Sequence, residues 1–408
     1  MSSLSPDTLR LLTDPLGAEL VERHLHDDPE RLAFTLKCER ERARAVCGQV
    51  KTLQRARTKL PSYYAARCVI PPISYEQCSS EEAAALKSYS GGLCIDLTCG
   101  LGVDSLHFSR SFDRVITVER DPTLAEVARY NFARLGGQHI TVVTASAEAF
   151  LAEFDGEADL IYLDPARRDG DGGRIFLPQA CSPNVIELLP LLLQKARVTL
   201  VKLSPLFDVQ EALKVFAGHL SRLEIVSIGG EVKELLVELR REPPTQAAVV
   251  VSLDGGRKYS FAPQQIGAAG DEAGDEAGDE PPPEGGFLVV PDAAFYKGRV
   301  VRALLDNYFP EQKFRLPSQN GFAFVEELPE GFPGRIYRLI GATDYRPAKL
   351  RKEFARQGID RINLLRRDFP ASSREIKQAL NVREGGTAWY AFTRIAGEPK
   401  CLQIEPIE

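Results

Sequence analysis

Two short segments carry residues whose types and spacing can do chemistry. The first is Asp96-Leu97-Thr98-Cys99-Gly100-Leu101-Gly102-Val103-Asp104, which follows an apolar run at 93–97 and leads into a helix-like pattern. Gly100 and Gly102 let a strand turn sharply into a helix while the backbone passes close to a ligand. Asp96 at the strand end suits an ammonium group, and the N–H groups of the helix start suit a carboxylate. Thr98 and Cys99 lie on the same loop. Dehydrogenases use a similar loop, but the third glycine of their pattern is absent, because position 105 is Ser. Asp104 opens the helix instead. Downstream, Val115-Ile116-Thr117-Val118-Glu119 puts a carboxylate at the end of the next strand, where it can accept two hydroxyl hydrogen bonds from a ribose. Arg120 then lies along an adenine. Ser146 stands where an acid near the adenine amine is common.

The second segment is Asp164-Pro165-Ala166-Arg167-Arg168, after the apolar Leu160-Ile161-Tyr162-Leu163. A carboxylate here takes hydrogen bonds from a target amino group, and proline stiffens the loop. An aromatic that would stack on a base is missing, unless the Arg167 guanidinium replaces it. Arg167 and Arg168 can alternatively hold a phosphate, or be surface arginines of a structural turn. A further strand ends in Val201-Lys202-Leu203-Ser204-Pro205. Serine at 204 disfavours covalent attack on a carbon, which needs a thiol. Cys181 is the thiol nearest in sequence and reads as packing. Lys202 contacts substrate or extends from the strand end toward water. The two segments together point to methyl transfer from S-adenosylmethionine.

An open α/β sheet must position these residues. Strands are expected at 93–97, 114–119, 140–144, 160–163, 198–202, 223–227 and 235–239, with helices between them, notably 123–135 and 183–196. This alternation predicts a parallel sheet covered by helices. Residues 1–88 read as helical, with helices at 31–57 and 80–89. Glu76-Gln77-Cys78-Ser79-Ser80-Glu81 has the serine-then-acid pattern of a helix start. Residues 268–286 repeat Ala-Gly-Asp-Glu and run into prolines, so disorder is expected there. Strand-like 247–253 and 287–290 flank this insert. The tail shows strands at 335–340 and 388–393 and helices at 347–357 and 372–380.

The chain has 408 residues, 44% of them apolar and 26% charged, as in ordinary globular proteins of several domains. No apolar run reaches the length of a membrane span, and no secretory start is visible, so a cytoplasmic location without membrane partners is expected. The eight cysteines form no close pairs, and the five histidines do not cluster with them, so no metal is expected. Net charge is −6, but residues 331–408 hold fifteen Lys/Arg against nine Asp/Glu. A basic end on an acidic chain suits nucleic acid, or is simply a solvated helix face.

The chain resembles bacterial class I S-adenosylmethionine-dependent methyltransferases with a ferredoxin-like region and a THUMP-like C-terminal domain. The resemblance rests on Lys59-Leu60-Pro61, Glu76 to Glu81, Asp96 to Asp104, Leu163 to Arg168, Lys202-Leu203-Ser204-Pro205 and Lys233-Glu234-Leu235. Phe332-Pro333-Gly334-Arg335, Arg367-Asp368-Phe369-Pro370 and Gly385-Gly386 extend it. Gly230-Glu231-Val232 departs from the Asn-Glu-Cys such proteins carry. The resemblance implies a Rossmann-like class I methyltransferase sheet with an N-terminal helical region and small α+β C-terminal modules. It divides the chain into a helical region (1–88), a methyltransferase domain (89–245), a ferredoxin-like region with the acidic insert (246–330) and a THUMP-like domain (331–408). It also implies S-adenosyl-L-methionine contacts by Asp96, Gly100, Gly102 and Glu119, with Asp164 at the reaction centre. A weaker local similarity to trimethylguanosine synthases implies that Ser79 or Ser80 helps hold the methionine end.

The expected function is methylation of a base nitrogen in RNA, tRNA or rRNA. Asp164 orients or deprotonates the amine, with Arg167 beside it. Arg168, Lys202, Lys349, Arg351, Lys352 and Arg356 meet the substrate. The alternatives are methylation of a small molecule or protein, and a non-catalytic RNA-binding protein that retains the cofactor fold.

Overall fold

The computed structural model describes residues 4–167, 181–266, 285–309, 314–318 and 320–407. Two compact units emerge. One holds Met1–Ile228, Lys233–Ala247 and Ser252–Arg257; the other holds Gly229–Val232, Ala248–Val251 and Lys258–Glu408.

The first unit begins with seven helices: α1 (Pro6–Thr13), α2 (Pro15–Arg23), α3 (Pro29–Thr35), α4 (Arg40–Lys59), α5 (Pro61–Ala65), α6 (Pro72–Gln77) and α7 (Glu81–Ala85). Ser5, Asp14 and Asp28 each cap a helix whose first residue is proline. The helix expected over 31–57 is two helices, α3 and α4. Leu36 turns extended after α3 and no glycine or proline marks the break, so helical periodicity ran through it. α4 buries Val46, Val50, Leu53 and Ala56 along one face and exposes Arg40, Arg44, Lys51, Arg55 and Arg57. The start expected near Glu76 to Glu81 is present: Ser80 caps α7 by accepting from Ala83 N–H at 3.0 Å.

The chain then alternates through β1 (Gly91–Asp96), α8 (Val103–Phe108), β2 (Phe112–Glu119), α9 (Pro122–Arg134), β3 (Ile140–Thr144), α10 (Ala147–Glu153) and β4 (Ala158–Leu163). The short strands β5 (Ala166–Arg167) and β6 (Cys181–Ser182) follow. After them come α11 (Val185–Lys195), β7 (Ala196–Leu203), α12 (Val209–Val215), β8 (Leu220–Ile228) and β9 (Glu231–Leu239). The strands order β8-β9-β7-β4-β1-β2-β3. β3, β2, β1, β4 and β7 run parallel, and β9 is antiparallel to β7. β1 therefore leads to β2 on one side and lies against β4 on the other. That reversal is a topological switch point, outside which ligands bind at the carboxyl ends of strands. Asp96, Glu119 and Leu163 are the residues at those ends. The N-terminal helices share a core with the sheet: Val50, Leu53, Tyr63 and Val69 belong to one apolar cluster with Phe108, Phe132, Tyr162 and Leu200. Buried Asn131 seals the junction, accepting from Val69 N–H and donating to Val69 C=O, both at 2.8 Å.

The second unit contains β10 (Ala248–Ser252), β11 (Lys258–Phe261), β12 (Phe287–Pro291), α13 (Ala293–Lys297), α14 (Val301–Tyr308), β13 (Phe314–Arg315), β14 (Ala323–Val325) and β15 (Gly334–Asp344). It ends with α15 (Pro347–Gln357), β16 (Arg361–Arg366), α16 (Ser373–Leu380), β17 (Arg383–Ile395) and β18 (Glu398–Pro406). Its sheet orders β13-β14-β12-β15-β18-β17-β16. Leu350 and Phe354 of α15 and Ile376 and Leu380 of α16 pack with Ile362, Tyr390 and Phe392 of the sheet. A separate cluster joins Leu288, Phe324, Tyr337 and Leu402. Of the insert expected to be disordered (268–286), residues 268–284 lie outside the described residues.

Candidate functional site

The loop between β1 and α8 is built from within. Asp96 is almost fully buried. Its Oδ1 accepts from Thr98 N–H at 2.9 Å and its Oδ2 from Ser105 Oγ–H. Burial pushes its carboxyl up to about 7, against the pull of those hydrogen bonds. Cys99 is buried, donates its N–H to Val118 C=O at 2.9 Å, and has a thiol raised by desolvation. Gly102 has φ +84, and a Cβ there would lie 2.4 Å from the Phe132 ring. Gly100 has φ +55, and a Cβ there would meet nothing nearer than Thr98 C=O at 4.0 Å. One glycine is thus demanded by packing beneath the loop, whereas the other leaves space above it.

The carboxylate of Glu119 reaches back to this loop. One oxygen accepts from Gly100 N–H and the other from Asp121 N–H, each at 2.9 Å. Burial raises its pKa. Each oxygen keeps a free lone pair for a hydroxyl. Arg120 donates to Ser182 Oγ at 3.1 Å. Ser146 caps α10 by accepting from Ala149 N–H at 3.1 Å, next to Ala145, whose N–H donates to Glu119 C=O at 3.1 Å.

The two segments singled out in the sequence meet. Leu97 N–H donates to Tyr162 C=O at 2.9 Å, and Asp164 N–H donates to Thr98 Oγ at 2.6 Å. Asp164 is about one-third exposed, and its Oδ2 takes Lys202 Nζ at 2.6 Å. Lys202 also donates to Ser79 Oγ at 3.0 Å, and Ser79 donates to Asp104 Oδ2 at 2.8 Å. Tyr162 O–H donates to the same oxygen at 3.0 Å. Lys87, with no exposed side-chain surface, lies 3.0 Å from Asp104 Oδ1 and 2.5 Å from Glu234 Oε1. Burial alone would raise Asp104, but Lys87 and Lys202 outweigh it and hold its carboxyl below the usual carboxylate range. Burial would lower Lys202, but Asp164, Asp104 and Glu234 keep it raised and cationic.

Sequence reasoning placed Ser79, Asp96, Thr98, Asp104, Asp164 and Lys202 near one site, and the fold joins them. It missed Lys87, Tyr162 and Glu234. Lys87 lies between α7 and β1 and carries no local motif. Glu234 opens the apolar run of β9 in a tripeptide noted only as a shared feature. The backbone of Arg167 pairs with Cys181 in β5–β6. Arg168 lies outside the described residues.

Lys349, Arg351, Lys352 and Arg356 belong to the second unit, exposed on α15. Among the described residues none of the four forms an ion pair. By contrast, a surface cavity of about 890 Å³ beside α16 has two of its three lining cations matched, Arg383 with Asp360 and Lys377 with Glu384. No group of His, Cys, Asp and Glu suited to a metal ion occurs among the described residues, and no helix among them is long and apolar enough to cross a membrane.

Comparison with known proteins fits this architecture. Residues 334–406 match the THUMP domain-like family. A tRNA/tmRNA (uracil-C(5))-methyltransferase of Saccharophagus degradans is 35% identical over 66 residues, covering 16% of this chain and 18% of the relative. One of Aliivibrio salmonicida is 27% identical over 123 residues, covering 24% of this chain and 33% of the relative. The chain thus spans about a fifth to a third of these curated relatives. A solved structure from Porphyromonas gingivalis W83, described as a candidate methyltransferase, has a TM-score of 0.80 at 24% identity over the whole of both chains. The fold is the Rossmann-like methyltransferase fold, and the C-terminal segment is THUMP-like.

Proposed function

We propose that the chain is an S-adenosylmethionine-dependent methyltransferase that modifies RNA at a base nitrogen. The observation that carries this reading is the bond between Asp164 N–H and Thr98 Oγ, which puts the reaction turn on the rim of the glycine loop. The residues present fit the cofactor. Gly100 leaves the loop face open, Glu119 keeps acceptor capacity for ribose hydroxyls, and Asp96 holds the loop from beneath. The bound cofactor would supply an electrophilic methyl group on sulfur. Asp164 keeps one oxygen for the target amine while Lys202 fixes the other. Orientation of the attacking nitrogen is then the protein's main contribution. The four segments drawn from sequence divide the work: the helices and sheet hold the cofactor, and the basic THUMP-like tail holds RNA, in the cytoplasm. The uracil-C(5) names of the curated relatives and the THUMP-like match support an RNA acceptor.

One observation favours a second reading. The β5–β6 pairing sets Cys181 opposite Arg167, three residues past Asp164, where a thiol could act in carbon methylation.

The test uses purified protein, bulk bacterial RNA and cofactor labelled on the methyl group. Nuclease-sensitive label is expected with the wild type. Asp164→Ala should lower transfer by about 10²–10⁴-fold, and Cys181→Ser should leave it unchanged. Undiminished transfer by Asp164→Ala would remove that residue from the reaction centre. Loss with Cys181→Ser would select the carbon reading.

A further inference from the structure

The segment Arg367-Asp368-Phe369-Pro370 follows β16, whose last residue is Arg366, and takes no part in the site around Asp164. Its internal bonds are specific. Asp368 stands at φ +43 and pairs with Arg394 at 2.7 Å. Arg366 donates to Phe369 C=O at 3.1 Å, and Phe369 packs edge-on against Tyr345. The only carboxylate in the segment is therefore turned away from Arg367.

Arg367 is held by other means. Its backbone N–H donates to Phe392 C=O at 3.1 Å. Its guanidinium carbon lies 3.2 Å from the centroid of the Tyr296 ring, and Tyr296 O–H donates to Gly321 C=O at 3.0 Å, which fixes the ring. A cation over an aromatic face is attracted by the ring, yet the ring gives the N–H fork no acceptor. The side chain is half-buried, and among the described residues no carboxylate or carbonyl takes that fork. Burial pulls its pKa down, with only Tyr296 opposing. Other half-buried arginines differ: Arg42 pairs with Asp14, Arg67 with Glu22, and Arg222 with Glu238. A charged guanidinium held over an aromatic ring, with no acceptor on its fork among the described residues, suits bidentate phosphate recognition.

We propose that Arg367, held over the Tyr296 ring, binds one phosphodiester group of the RNA. The proposal rests on the RNA reading above and adds a half-buried anchor to the exposed cations of α15. The experiment measures the affinity of the full chain for a labelled oligoribonucleotide across a range of KCl concentrations. Arg367→Gln should weaken binding about tenfold and lower the slope of log affinity against log salt by about 0.7. Arg367→Lys keeps the charge but loses the fork, so it should keep the slope and weaken binding severalfold. It also serves as the informative variant should Arg367→Gln fail to fold. Wild-type affinity and slope in Arg367→Gln, or in Arg367→Lys wild-type affinity, would overturn this site alone. A wild type that binds no RNA would overturn the RNA reading with it.

Discussion

A lysine with no exposed surface is tolerable only where carboxylates meet it, and Lys87 meets two. The consequence is a chain of polar contacts from the interior to the rim, through Asp104, Ser79 and Lys202 to Asp164. Asp96 sits beside this chain without a cation, and the effect on stability can be signed. Its carboxyl is raised from 3.8 to about 7 in the folded protein, chiefly by burial. Between those values the folded form keeps a proton that the unfolded chain has released. This group's contribution to stability therefore falls as pH rises from about 4 to 7 and is level above. Asp96→Asn should remove that slope. In urea unfolding, wild type should lose on the order of 2 kcal/mol relative to Asp96→Asn between pH 5 and 8. Parallel curves for the two proteins would show that Asp96 is ionised throughout.

At the scale of elements, the glycine loop separates two kinds of constraint. Gly100→Ala meets only left-handed strain, about 1–2 kcal/mol. Gly102→Ala meets the same strain and also drives a methyl into Phe132 of α9, so a loss of about 3 kcal/mol or more is expected. Equal shifts of the unfolding midpoint in the two variants would contradict this division. The central strands were legible because parallel strands covered on both faces read as apolar runs, as 160–163 and 198–202 do. The tail helix 347–357 was legible from its periodicity. β16 was not, because it forms a sheet edge with arginine at both ends and Asn363 inside. β18 was obscured by Pro399 and Gln403. The α3–α4 break had no glycine or proline to announce it. In the site, residues sharing one loop were found by motif. Lys87 and Glu234 escaped because only the fold brings their distant segments together.

At the scale of the molecule, two units carry different chemistry. The first concentrates buried, paired charge around a loop suited to a nucleoside. The tail at 331–408 carries the basic excess, with four cations on α15 that form no ion pair among the described residues, and a further arginine set over an aromatic ring elsewhere. Charge of this kind gives affinity for a polyanion without dictating sequence, so specificity must come from the rim around Asp164. On the proposed function, this rim directs a methyl group onto a base nitrogen of RNA. Mass spectrometry of nucleosides, digested from bulk RNA after incubation with protein and labelled S-adenosylmethionine, tests it most directly. A labelled nucleoside methylated on a ring or exocyclic nitrogen is expected. A labelled 5-methylpyrimidine, or RNA without label, would contradict it.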